Sequence, residues 1–161
     1  MPTPTYTLID STTLASSASS VTFSSITQDY RDLILVVEVS NVGGNTFANL
    51  QFNNDTGTNY SYVQGSGTGS ATNSTSATGQ TSTDGIGLAL TGESGLWKYQ
   101  IMDYSATDKH KSLVARFDSV GYRTVMYAAR WANTSAITEI DILSFGTYPI
   151  GSTFYLFGIE A

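Results

Sequence analysis

The sequence predicts an all-β protein, an antiparallel β-sandwich of jelly-roll type. Three observations carry that prediction. Short runs rich in β-branched and aromatic residues recur along the chain, separated by Gly, Asn, Asp, Ser and Thr. Within those runs apolar and polar residues alternate with a period of two, the repeat of a pleated strand. Nowhere do Ala, Leu, Glu and Lys gather at the 3.6-residue spacing of an amphipathic helix. Strands are expected near 5–9, 19–26, 31–40, 46–53, 60–64, 85–91, 95–104, 112–118, 122–132, 136–145 and 152–160. Many short strands at regular spacing favour a sandwich over a parallel α/β sheet.

The alternation assigns faces in chain order. Run 31–40 puts Leu33, Leu35, Val37 and Val39 on one wholly apolar face, and Asp32, Ile34, Val36, Glu38 and Ser40 on the other. Run 95–104 sets Trp97, Tyr99 and Ile101 against Leu96, Lys98, Gln100 and Met102. Run 122–132 sets Val125, Tyr127, Ala129 and Trp131 against Met126, Ala128 and Arg130. In 136–145, Ile140 and Ile142 share a face opposite Glu139 and Asp141. The last strand is apolar on both sides, with Phe154 and Leu156 on one and Tyr155, Phe157 and Ile159 on the other. A strand of that kind needs cover on both faces, and an isolated sandwich would leave one as an apolar patch. A subunit interface near the C-terminus is therefore expected.

The chain has 161 residues, the size of a single domain spanning 1–161. Charged residues make up only 12%, about half the usual share, and 44 Ser and Thr stand in their place. One segment, QGSGTGSATNSTSATGQTST at 64–83, has no aromatic, no Leu, Ile or Val and no charge. It is read as a long Gly/Ser/Thr loop held in place from outside the monomer, because it can bury too little to order itself.

Composition also excludes functions. No apolar run is long enough to span a membrane. The beginning, MPTPTYTLID, has neither the basic stretch nor the apolar core of a signal peptide. A net charge of −6 opposes binding to a phosphate backbone. With no Cys and one His, thiol catalysis, iron–sulfur clusters and His/Cys zinc sites are out of reach, and no cofactor is expected.

Three places in the sequence offer groups that could carry chemistry. His110 lies in DKHK between Asp108, Lys109 and Lys111, a run that reads as a solvated turn, and no GxSxG marks a nucleophile. Glu139 and Asp141 share a strand face at about 7 Å, within the separations that glycosidases use, although a polar strand face produces the same spacing. Asn53, Asp55 and Gly57 begin like a calcium loop, but Thr58 and Gln64 stand where the pattern needs its Gly and its bidentate Glu. No enzyme is expected. For binding, Tyr60, Tyr62 and Trp131 are the candidate glycan or interface aromatics, although aromatic residues in strands more often fill a core or an interface. The two tyrosines alternate on one strand face just after Asn53, Asn54, Asp55 and Asn59, and Trp131 precedes Asn133.

Four stretches carry a family resemblance: LIDSTTLASSASSVTFSSI (8–26), FNNDTGTNYSY (52–62), RWANTSAITEIDILSF (130–145) and GSTFYLFGIEA (151–161). Together they resemble small structural proteins of tailed bacteriophages, especially aquatic ones. The closing strand with its Gly-Ile step is the most specific part. The resemblance implies a β-sandwich on the virion, made in the bacterial host cytoplasm, without catalytic residues. It implies self-association, as a homotrimer, and as partner the shell of the major capsid protein. Two roles follow from it: a capsid decoration (cement) protein, or a fibre or appendage tip that binds host glycan. The first strand lies only a few residues after Met1, with no shaft before it, and this favours decoration.

Overall fold

A computed structural model describes residues 5–40, 42–83, 89–120 and 123–160. Among these residues eleven strands form: β1 (Tyr6–Thr13), β2 (Ala18–Phe23), β3 (Asp32–Val39), β4 (Asn49–Phe52), β5 (Tyr60–Gly67), β6 (Thr72–Gln80), β7 (Gly95–Met102), β8 (Lys111–Ser119), β9 (Thr124–Trp131), β10 (Ile140–Tyr148) and β11 (Thr153–Ile159). They form two antiparallel sheets, one of eight strands in the order β1-β11-β3-β7-β8-β9-β5-β6 and one of three in the order β2-β10-β4. The chain changes sheet at each of its first four connections and again on entering and leaving β10. This is an antiparallel β-sandwich, and those crossings are its jelly-roll character.

The core lies between the sheets and follows the alternation. Leu33, Leu35, Val37, Val39, Trp97, Tyr99, Phe117, Val125, Phe154 and Leu156 are buried from the large sheet. Val21, Phe23, Leu50, Phe52, Ile140 and Ile142 meet them from the small one. One sheet has more than twice the strands of the other, so among the described residues the second face of the large sheet is covered only in part: Asp32 and Ile34 are buried there, while Leu8, Val63, Val114 and Met126 are exposed.

Two expectations change. Thirteen of the twenty residues expected to be a loop are strand: β5 continues to Gly67, and β6 runs through the middle of 64–83 and pairs in register with it, from Tyr62 opposite Ala77 to Gly67 opposite Thr72. Backbone hydrogen bonds need no apolar side chain, so composition alone concealed this strand. The strand expected at 85–91 falls largely on 84–88, outside the described residues; beside it, Ala89 bridges Thr46.

The apolar C-terminal strand lies inside the large sheet, between β1 and β3. Its second face, Tyr155, Phe157 and Ile159, is half-buried, with the Tyr155 and Phe157 rings stacked at 6.3 Å. Its glycine has a specific cause. A Cβ built on Gly158 would lie 2.2 Å from Cγ of Tyr30, so the tyrosine ring occupies the place of a side chain.

Candidate functional site

The aromatic residues proposed for glycan binding divide between core and rim. Tyr60 and Trp131 are each 1% exposed, which is a correction to their reading as a sugar platform. They sit at paired positions of β5 and β9, stack at 6.3 Å, and pack against Phe52. Their polar ends are satisfied internally. The backbone N–H of Phe52 donates to the Tyr60 hydroxyl at 3.0 Å, and the Trp131 indole N–H donates to Oδ2 of Asp55 at 2.7 Å. Burial raises the Tyr60 phenol well above its ordinary value. Tyr62 is half-buried, stacked on Tyr127 at 5.2 Å.

Asp55 serves this aromatic group. Its Oδ1 accepts from the Gly57 N–H at 2.8 Å, and Oδ2 accepts from the Asn59 side-chain amide at 2.9 Å as well as from Trp131. Partial burial acts to raise its pKa, but the hydrogen bonds from Trp131, Asn59, Gly57 and Asn133 outweigh it and hold the carboxyl below its usual value. Asn53, in the left-handed region at φ 52°, ties the same turn to the small sheet. Its Oδ1 accepts from the backbone N–H groups of Thr138 and Glu139, and its Nδ2 donates to the Ala136 carbonyl. The residues that resembled a calcium loop thus build an internally bonded turn.

The two strand carboxylates have separate surroundings. Asp141 is buried on β10, the central strand of the small sheet, and accepts from the Thr22 hydroxyl at 2.6 Å. Glu139 accepts from the Asn54 side-chain amide. Among the described residues no three His, Cys, Asp or Glu side chains converge as metal ligands, and no helix is long and apolar enough to cross a membrane.

The DKHK run also divides. Asp108, Lys109 and His110 are exposed, but Lys111 is 1% exposed, a correction to its reading as part of a solvated turn. Its Nζ donates to the carbonyls of Ala106 (2.6 Å), Lys109 (3.1 Å) and Thr134 (3.1 Å), which uses all three ammonium protons. Burial pushes its pKa below a lysine's ordinary value, with Asp108 and Asp103 acting in the opposite direction. The cation fastens the 103–110 turn to the segment after β9.

What sequence reasoning missed is the partly covered second face of the large sheet. One ladder crosses all eight strands: Leu8, Phe157, Ile34, Gln100, Val114, Ala128, Val63 and Ser76. Six of the eight are apolar, and at ~4.8 Å per strand the row is about 34 Å long. Leu8, Val63 and Val114 are 51%, 59% and 45% exposed. Beside the row, Lys98, Arg116 and Met126 stand in register, and Met126 is 75% exposed. Between β5–β6 and β7–β9 this face dips into a groove of about 880 Å³. Its floor is Val63, Val114, Met126 and Ala128, and its only charges are Lys98 and Arg116. Arg116 also meets Asp118 at 3.2 Å across exposed surface, a pairing worth little in water. The signal was present in the sequence as the second apolar side of the last strand, but its continuation across the sheet depends on register. Comparison of the chain with protein-family models and with curated protein sequences gives no match.

Proposed function

We propose that this protein is a structural component of a tailed-phage virion, a decoration protein seated on the outside of the capsid shell. The observation that carries the reading is the apolar row across the partly covered second face of the large sheet. The row is exposed at Leu8, Val114 and Val63 and interrupted by Gln100 and the buried Ile34, and exposed apolar side chains grouped in this way mark a protein-docking face. Its breadth suits the flat surface of an assembled shell better than a small ligand, and its two cations call for carboxylates on the shell subunit. The phage resemblance of the four quoted stretches supports the virion setting.

The competing role, a tip that binds host glycan, loses its strongest support because Tyr60 and Trp131 are in the core. The groove floor is aliphatic, without an exposed ring on which a sugar would stack.

Quantitative mass spectrometry of purified particles tests the choice. Copies numbering in proportion to the major capsid protein, with particles lacking the protein losing DNA at lower temperature and still adsorbing normally, are the expected result; binding confined to the assembled state stabilises that state by mass action. A handful of copies on the tail, or loss of adsorption on deletion, overturns it.

A further inference from the structure

Strand β6 forms one end of the large sheet and, among the described residues, pairs on one side only, with β5. Seven of its nine residues are exposed, and Ala77 and Gln80 are half-buried. An edge of this kind offers a row of free N–H and C=O groups, which proteins normally blunt with charge, proline, bulges or shortness. The other edges are blunted in these ways. β1 carries a bulge between Leu8 and Asp10 and the Asp10 carboxylate; β2 has six residues and β4 four. β6 has no charge and no proline, and its pairing with β5 is regular from Thr72 to Ala77, the one irregularity lying at its base.

We propose that β6 pairs with the β6 of a second copy, antiparallel across a two-fold axis, joining two eight-stranded sheets into one. Three observations select a second copy as the occupant. An antiparallel edge about a two-fold axis is self-complementary, since each contact occurs twice. The side chains that would face each other are Thr, Ser and Asn, which pair well across strands. Two chains of net charge −6 repel each other, and residues 56–83 are the longest stretch of the sequence without a charged side chain, so approach along β6 meets the least opposition. The inference is independent of whether the protein sits on the shell or the tail, and it replaces the three-fold association that the resemblance implies with a two-fold one.

Light scattering on the full chain, at roughly 100 μM, is expected to give a species of about 34 kDa. The variants S74K/S76K and S74D/S76D place like charges opposite each other and should each run as the 17.2 kDa monomer, melting cooperatively at the temperature of wild type diluted below its dimerisation range. Mixing the two one-to-one should restore the dimer. In the wild type alone, β6 amide exchange should slow at least about tenfold as concentration rises across the dimerisation range, a reading that needs no variant to fold. A wild-type monomer at that concentration, a trimer of about 52 kDa, variants as dimeric as the wild type, or β6 exchange indifferent to concentration would each overturn the proposal.

Discussion

Gly158→Ala should destabilise the protein because a tyrosine ring already fills the space. The new Cβ would stand 2.2, 2.3 and 2.5 Å from Cγ, Cδ2 and Cδ1 of Tyr30, against an ordinary carbon–carbon contact of about 3.5–4.0 Å. The atoms struck are at the root of the ring, so rotation of the ring cannot relieve the clash. Tyr30 must move bodily by more than an ångström, or β11 must shift within a sheet that pairs it on both sides. Overpacking of this kind costs about 1–3 kcal/mol. Replacing glycine within a strand returns about 0.5–1 kcal/mol through lower chain entropy in the unfolded state. The net loss is therefore about 1 kcal/mol and at most about 2.5, or roughly 2–4 °C in Tm per kcal/mol for a domain of this size. Urea unfolding followed by tryptophan fluorescence measures it. The decisive comparison is a double-mutant cycle with Tyr30→Ala, in which Gly158→Ala should become neutral or slightly stabilising, a coupling of about 1–2 kcal/mol. A neutral single variant, or an equal loss with and without the Tyr30 ring, would refute the reasoning.

Trp131→Ala should cost about 3–5 kcal/mol by thermal unfolding, because the side chain is in the core; a stably folded variant with unchanged Tm would return Trp131 to the surface. Lys111→Met should cost about 2–4 kcal/mol, since it leaves the carbonyls of Ala106, Lys109 and Thr134 without their donor; a loss under about 0.5 kcal/mol would show that water replaces the ammonium without penalty. Asp55→Ala should cost about 2 kcal/mol at neutral pH, through the unpartnered indole N–H of Trp131 and the opened turn. Because the folded carboxyl is held below the ordinary aspartate value of 3.8, the stability linked to its ionisation is fully present above that pH and lost as pH falls through the lowered folded value. The gap between wild type and Asp55→Ala should narrow only in that acid range, and a gap that closes at higher pH, between 3.8 and neutrality, would contradict it.

Much of the fold was legible in the residues because a strand's side-chain alternation is a local property. Leu33, Leu35, Val37 and Val39, and likewise Val125, Tyr127, Ala129 and Trp131, take the same side wherever the strand is placed, and each set is buried. The lack of helical spacing excluded helices for the same reason, and the scarcity of His, Cys and Lys limited the chemistry without reference to a fold. The tertiary structure decided which faces meet water. The three-stranded sheet covers one side of the eight-stranded sheet, which puts Tyr60 and Trp131 in the core and leaves Val63, Val114 and Met126 outside. It also made β6 a strand through backbone pairing with β5, and closed three carbonyls around Lys111. These outcomes depend on contacts between residues far apart in the chain, and on hydrogen bonds made by backbone atoms that every sequence shares, so side-chain order along the chain carries no direct record of them.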